Sequence, residues 1–311
     1  MRNAFAEEIT QLAQINPDIV LLSGDIGNRL FDHYKDVAGN RFYNCGVAEQ
    51  NMMSMAAGIA MGGLRPVLYT IAPFLTLRCL EQIRIDVAYQ NLPVVIVGTG
   101  AGLSYAGLGP THHSLEEVGI LRMFPNMTIL APADAFEVKA CLRIALEHDG
   151  PVYIRLGKKD EPKVHHDVPS LTIGKNYILR HGEDVCILSM GNVAQIGLDV
   201  ADALSVSGLS TTVQSCHTVK PLDLESIESA FNTHRVVVTI EEHTIFGGYG
   251  GAIAEWLVDR RVTGVPLIRV GTPDLFYKQA GSQSYAREQL GLSAPSITER
   301  ILKQLERSQV S

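Results

Sequence analysis

The sequence lacks any apolar run that approaches the ~20 residues of a membrane-spanning helix. Its first eight residues, MRNAFAEE, do not form a secretory signal peptide. We therefore expect a cytoplasmic protein with no membrane partner. A basic cluster is also missing, because 26 Lys and Arg against 33 Asp and Glu give a net charge of −7. This mild acidity argues against a nucleic acid or an anionic membrane as partner.

Paired cysteines and metal-binding spacings are absent as well. The five cysteines are scattered and none lies in a Cys-x-x-Cys pair, so we expect reduced thiols. The histidine pairs at 112–113 and 165–166 lack the spacing of zinc ligands, since adjacent side chains point in different directions. We expect no metal site formed by this chain alone.

Apolar strands and helical segments alternate along the 311 residues, a length that suits about two domains. Unbroken apolar runs such as residues 92–98 are typical of buried parallel strands. The sequence predicts an α/β fold of two domains, each a mostly parallel sheet with helices on both faces. The predicted domains are residues 1–160 and 176–311, joined by a polar, proline-punctuated linker at 161–175.

The predicted elements follow from periodicity and from proline and glycine positions. The predicted strands are 19–25, 65–70, 92–98, 127–130, 152–156, 184–189, 211–214, 235–243 and 267–270. The predicted helices are 3–15, 74–89, 135–147, 194–205, 250–259 and 297–305, with one more that ends at Gly62-Gly63.

Glu49 opens that last helix, which is rich in Ala and Met and almost wholly apolar. Burial favours the neutral form of such a carboxyl group, whereas the helix N-terminus favours the charged form. Gly46 lies just before it and would let a ligand approach the backbone. A carboxylate in this setting can exchange a proton with a heterocycle. The alternative is a helix-capping Glu in an ordinary core helix.

A glycine-rich loop from Gly98 to Gly109 precedes His112. Ser114 and Glu117 have the spacing of a capping box, which predicts that a helix starts there. His112 is then placed just ahead of a helix N-terminus, where it could contact a ligand. The alternative is a solvated loop histidine.

Several segments occur in the order and spacing of one known family. They are residues 46–52 (GVAEQNM), 109–112 (GPTH), 149–155 (DGPVYIR), 220–223 (KPLD) and 241–243 (EEH) with Gly247-Gly248. Together these segments resemble the C-terminal half of transketolase, which comprises a pyrimidine-binding domain and a C-terminal domain. The resemblance covers nearly the whole chain.

The resemblance implies thiamine diphosphate as cofactor. Glu49 would hydrogen-bond N1′ of the aminopyrimidine and promote the imino tautomer that deprotonates the thiazolium carbon. Phe74 would stack on the pyrimidine, and Ile71 would form an aliphatic pocket wall where transketolases often have a second aromatic residue. His112 would contact the hydroxyls of the reacting sugar. The alternative for Phe74 is a core residue at the start of a helix.

Departures from the family pattern concern the sugar substrate. Leu108 stands where transketolases commonly have a hydroxyl-recognising Asp, and Gly100 where they have a phosphate-binding His. Arg155 and Arg2 match phosphate-binding arginines, and Arg29 stands where a serine is usual. Arginine suits bidentate binding of an anion, so we expect a sugar phosphate or another anionic or modified sugar. The alternatives are a strand-end ion pair for Arg155 and surface charge for Arg2 and Arg29.

The chain lacks the family's Gly-Asp-Gly…Asn segment, which holds the cofactor's diphosphate and its Mg²⁺ or Ca²⁺ ion. Residues 24–27 (GDIG) are only superficially similar, although Asp25 stays a candidate cofactor contact. We therefore expect a split transketolase, in which the metal and the diphosphate are held by a separate N-terminal transketolase-like subunit. A symmetric α2β2 heterotetramer is the expected assembly.

Other hypotheses remain. A β-subunit of a 2-oxoacid dehydrogenase has the same two domains and ranks second, because GPTH and AEQNM are closer to transketolase. A synthase of the 1-deoxyxylulose-5-phosphate kind ranks third. A non-catalytic scaffold subunit would need neither Glu49, Phe74 nor His112. We interpret Glu241, Glu242 and His243 as structural.

Overall fold

Strands and helices alternate through both halves of the chain. The computed structural model describes residues 1–27 and 29–310, except for the side chains of residues 308–310. The strands of the first half are β1 (Ile19–Ser23), β2 (Phe42–Asn44), β3 (Arg65–Ile71), β4 (Val95–Thr99), β5 (Thr128–Leu130) and β6 (Val152–Leu156). Its helices are α1 (Arg2–Ile15), α2 (Asp32–Ala38), α3 (Glu49–Met61), α4 (Ala72–Leu75), α5 (Leu80–Gln82), α6 (Glu117–Leu121) and α7 (Ala135–Glu147).

The second half continues the same alternation. Its strands are β7 (Tyr177–Arg180), β8 (Val185–Met190), β9 (Thr211–Ser215), β10 (Thr218–Lys220), β11 (Val236–Thr244) and β12 (Leu267–Thr272). Its helices are α8 (Ala194–Val206), α9 (Leu224–Thr233), α10 (Tyr249–Arg260), α11 (Gln283–Gln289) and α12 (Ala294–Val310).

The first sheet has the strand order β10-β5-β6-β4-β3-β1-β2, with every pair parallel except β10 with β5. Its central strands β1, β4 and β6 are buried throughout, because helices cover both faces. One core contains α1, α2 and α7, and the other contains α3 and residues 83–88. The order reverses beside β1, which is where doubly wound sheets bind ligands at the carboxyl ends of their strands.

The second sheet has the order β12-β11-β8-β9-β7, parallel except for the edge strand β7. Helices α8 and α12 pack on one face, and α9 and α10 on the other. The predicted fold class is thereby confirmed in both halves. The domain boundaries 1–160, 161–175 and 176–311 stay a prediction. Strand β10 of the second half pairs with β5 of the first, so the first sheet contains residues from both predicted domains. One hydrophobic core likewise joins Ile129 of the first half to Cys186 and Met190 of the second.

The single helix predicted for residues 74–89 is wrong. The chain instead forms α4, a turn, α5 and a π-helical turn at Ile83–Ala88. The helical hydrogen bonds end at Arg78, whose N–H donates to Pro73 O, the carbonyl that Leu77 N already uses. Phe74 O instead lies 3.4 Å from Cys79 Sγ. Phe74 lies in α4, directly after the end of β3 and before the break.

The predicted capping box is also wrong. Helix α6 begins at Glu117, and the Oγ of Ser114 is buried without a hydrogen-bond partner. The backbone of Ser114 pairs instead with Gly102 in a short antiparallel bridge, with N···O distances of 2.9 and 3.0 Å. Residues 103–113 therefore form a closed loop whose two ends lie side by side.

Candidate active site

Glu49 lies in the first turn of α3, and the residue is 4% exposed. Gly46 precedes it with φ of 68°, and a Cβ built there would meet nothing within 4 Å. The backbone before the helix is thus open to a ligand, as the sequence predicts. Asp25 lies beside it, since its backbone N–H donates to Gly46 O at 3.1 Å.

Arg78 connects Glu49 with Phe74, a contact that the sequence analysis missed. Its Nη1 donates to Glu49 Oε2 at 2.6 Å, and its guanidinium carbon lies 4.5 Å from the centre of the Phe74 ring. The contact is an ion pair with the carboxylate and a cation–π contact with the ring. Arg78 therefore joins the Glu49 carboxylate and the Phe74 ring in one contact group.

The thiol next to Arg78 is unsuited to be a nucleophile. Burial raises the pKa of Cys79 to about 12, and the negative charge of Glu49 adds to this rise. The thiolate is the reactive form of cysteine and is scarce at neutral pH in such a site.

His112 lies on the closed loop, between Phe74 and Tyr105. Its ring centre is 5.2 Å from that of Phe74 and 6.1 Å from that of Tyr105. A hydrogen bond of 2.9 Å between its Nδ1 and Thr111 Oγ1 restrains the ring. The structure thus brings Glu49, Phe74 and His112 into one contiguous group, with Ile71 near it at the end of β3.

Arg155 is in a different place from the one predicted. Its side chain is 2% exposed, and its Nε donates to Glu117 Oε1 at 2.6 Å. Its Nη2 donates to the carbonyls of Ser114 at 3.0 Å and of Glu242 at 2.8 Å. These contacts contradict the predicted substrate-binding role and match the ion-pair alternative, because the guanidinium is buried among protein acceptors.

The buried network around Arg155 fixes the base of the loop to the second half of the chain. Glu242, which is 0% exposed, accepts a hydrogen bond from Leu103 N at 2.6 Å. Gln283 Nε2 donates to the same carboxylate at 2.8 Å, and Arg287 forms an ion pair with it. The structural interpretation of Glu242 agrees with these contacts, which hold the loop that carries His112.

Arg2 and Arg29 line one cavity of about 390 Å³ at the carboxyl ends of β1, β3 and β4. Ile71, Tyr69, Thr99 and Tyr105 line it as well, and no carboxylate is among the described lining residues. Arg2 Nε is buried without a hydrogen-bond partner. The cavity thus has a cationic wall suited to an anion.

No three His, Cys, Asp or Glu side chains are grouped to hold a metal ion within residues 1–27 and 29–310. Within the same ranges, no helix combines the length and the apolar character needed to cross a membrane. The cysteines at 45, 79, 141, 186 and 216 are all free thiols.

Two family models match the chain. The model described as "Transketolase, pyrimidine binding domain" matches residues 1–163, and "Transketolase, C-terminal domain" matches residues 174–297. The chain is 35% identical to an apulose-4-phosphate transketolase subunit of Actinobacillus succinogenes, over 85% of this chain and 84% of that protein. It is also 35% identical to "6-deoxy-6-sulfo-D-fructose transketolase subunit SqwH" of a Clostridium species, over 96% and 92% of the two chains.

A longer relative and a solved structure complete the comparison. The chain is 37% identical to 1-deoxy-D-xylulose-5-phosphate synthase 1 of Geobacter metallireducens but spans only 48% of its length. Among solved structures, "Split gene transketolase, inactive beta4 tetramer" superposes with a TM-score of 0.89 at 34% identity, and 97% of each chain is covered.

Proposed function

The chain belongs to the transketolase family, and on that premise we propose that it is the C-terminal subunit of a split transketolase, which transfers a two-carbon ketol unit between sugars. The family expectation from the sequence is confirmed by the two matching family models. The observation that supports the proposal is that Glu49, Phe74 and His112, which the sequence assigns to cofactor and sugar, lie close together: Arg78 contacts both Glu49 and Phe74, and the His112 ring centre is 5.2 Å from that of Phe74.

That site fits the aminopyrimidine of thiamine diphosphate, with Glu49 as hydrogen-bond partner, Phe74 as stacking partner and Ile71 as an aliphatic wall. When bound, the cofactor supplies the carbon nucleophile that accepts and releases the two-carbon unit. Glu49 exchanges a proton with the ring at a carboxylate oxygen, and its near-complete burial keeps water from competing for that proton. Arg78 either shares the carboxylate or moves off Oε2 when the ring binds.

His112 would orient the sugar. It projects from the closed loop, and the 2.9 Å contact with Thr111 Oγ1 restrains its ring, so the free Nε2 can face a substrate hydroxyl. Arg2 and Arg29 would hold the anionic end of the sugar in their cavity. The names of two relatives specify a sugar phosphate and a sulfo-sugar, and both compounds carry a tetrahedral oxyanion.

A partner subunit would bind the diphosphate and its Mg²⁺ or Ca²⁺ ion, with Asp25 near the junction. Relatives of similar length are named as subunits, and the split-gene transketolase that superposes on this chain is described as an inactive tetramer of β-chains. We propose an α2β2 heterotetramer in the cytoplasm.

Calorimetry tests the split directly. Titration of thiamine diphosphate with Mg²⁺ into the isolated chain should give weak binding and no turnover. The same titration with an N-terminal transketolase-like partner should give tight binding and ketol transfer between sugar phosphates. Tight binding and full turnover by the isolated chain would refute the split. Dye reduction that depends on a 2-oxoacid would favour the oxoacid dehydrogenase instead.

A further inference from the structure

The Tyr105 ring packs directly against Gly100, a contact that the sequence does not predict. A Cβ built on Gly100 would lie 1.9 Å from Cε2 and 2.2 Å from Cδ2 of the Tyr105 ring. The ring therefore fills the space that any side chain at position 100 would need. Gly100 also has φ of 78°, which disfavours every other residue there. The two positions are coupled, because a side chain at one excludes the ring of the other.

The Tyr105 ring forms a wall of the cavity that Arg2 and Arg29 line. Neither arginine forms a salt bridge with a carboxylate of the described residues, so both guanidinium charges remain available to a ligand. Lys158 is not among the lining residues, but its Nζ lies 4.7 Å from the centre of the Tyr105 ring. Arg2 and Tyr105 line the same cavity, where burial raises the pKa of Tyr105 and the Arg2 charge opposes that rise. The phenol is thus a neutral hydrogen-bond donor at neutral pH.

The same ring adjoins the catalytic group. Its centre lies 6.1 Å from that of His112, which in turn lies 5.2 Å from Phe74. Tyr105 thus lies between His112 and the cavity that Arg2 and Arg29 line, because its ring contacts the former and lines the latter.

We propose that Tyr105 is a specificity-determining residue, whose ring replaces a side chain at position 100 and whose hydroxyl donates to a tetrahedral oxyanion held by Arg2 and Arg29. The substrate class is a sugar with a terminal phosphate or sulfonate. The inference rests on the proposed function, because it assigns the far end of the same substrate.

Binding to the full-length chain tests the inference without the cofactor. Calorimetry at low ionic strength would use D-ribose 5-phosphate, inorganic phosphate and D-ribose as probes. The sugar phosphate should bind, inorganic phosphate should compete with it, and D-ribose should not bind. Tyr105→Phe should weaken binding of the sugar phosphate about tenfold, because it removes one hydrogen bond to a charged group. The matched control Tyr89→Phe changes a tyrosine that is 75% exposed and should leave binding unchanged.

Gly100→Ala gives an independent variant, since its methyl group must displace the Tyr105 ring, and it should weaken binding as well. Unchanged binding by Tyr105→Phe, or equal binding of D-ribose and its phosphate, would overturn the inference. In the complex with a partner subunit, Tyr105→Phe should raise KM for the phosphorylated acceptor and leave KM for the neutral sugar unchanged. Absence of ketol transfer by the wild-type complex, together with Tyr105-dependent binding, would overturn the proposed function and retain this inference.

Discussion

Replacement of Arg155 by methionine separates its structural role from a substrate-binding role. Methionine fills the space with an unbranched apolar side chain, but the Glu117 carboxylate, which is 0% exposed, loses its cation. It also removes a donor from the carbonyls of Ser114 and Glu242. Breaking a buried ion pair from one side typically costs about 3–5 kcal/mol, so Arg155→Met should lower the free energy of unfolding by about 3 kcal/mol or more.

The assay is urea unfolding at pH 7, combined with a second substitution. Glu117→Gln in the Arg155→Met background removes the unpaired charge, so the double variant should recover part of the lost free energy of unfolding. The matched control is Arg180→Met, which removes a surface pair with Asp202 whose partners are 37% and 69% exposed. Arg180→Met should lower the free energy of unfolding by under about 1 kcal/mol.

One result would refute this reasoning. Arg155→Met with wild-type unfolding but no binding of D-ribose 5-phosphate would mean that the guanidinium serves the substrate. Loss of the ion pair would then be energetically unimportant, and the original prediction for Arg155 would stand.

Three further predictions concern catalysis, capping and pH. Glu49→Ala in the assembled complex should lower turnover at least about 10³-fold, ~4 kcal/mol, because a preorganised group is lost. Asp134→Ala should lower the free energy of unfolding by ~2 kcal/mol, because the Asp134 carboxylate accepts hydrogen bonds from Phe136 N and Glu137 N. Ser114→Ala should lower it by under ~0.5 kcal/mol, because Ser114 Oγ has no hydrogen-bond partner. Burial raises the pKa of Glu137 from 4.5 to about 7. At ~1.4 kcal/mol per pKa unit, this shift corresponds to ~3 kcal/mol in the free energy of unfolding. That contribution is fully present below pH 4.5 and is lost as the pH rises through 7, because the folded state then binds more protons than the unfolded state. Glu137→Gln should reduce that decline.

Each of these has a contradicting outcome. The exposed Glu228→Ala is the control for Glu49→Ala, and equal turnover by the two variants would leave the scaffold hypothesis standing. A loss of more than about 1 kcal/mol in Ser114→Ala would restore the capping box. Unfolding curves of Glu137→Gln that fall with pH as steeply as the wild type would mean that Glu137 does not cause the decline.

The sequence predicted most strands and the first turn of α3, because their signals are local: apolar runs, proline and glycine breaks, and a helix-forming segment after Glu49. The apolar runs predicted the strands correctly because helices cover the sheets on both faces, so the strands are buried. The break within residues 74–89 was not predictable from periodicity, because it depends on backbone hydrogen bonds that change pattern at Arg78 and Cys79.

The errors at the site have a different origin. Arg155 follows the pattern of a ligand-binding strand end, yet its partners are 38 and 87 residues away in sequence, at Glu117 and Glu242. The fold of the first half brings Glu117 to Arg155, and the packing of the two halves brings Glu242 there. Arg78 follows Phe74 at a spacing of four, which could have suggested contact between them in a helix. No sequence signal indicated that Tyr105 would occupy the space beside Gly100.

The strand Thr218–Lys220 has a practical consequence for anyone who divides this protein. The first sheet takes its last strand from beyond the linker, so a fragment that ends near residue 160 would expose the edge of β5 that pairs with β10. An uncovered edge of this kind invites pairing with another molecule and hence aggregation. Chimeras between relatives should therefore transplant residues 218–220 together with the first half, even though they lie within the second.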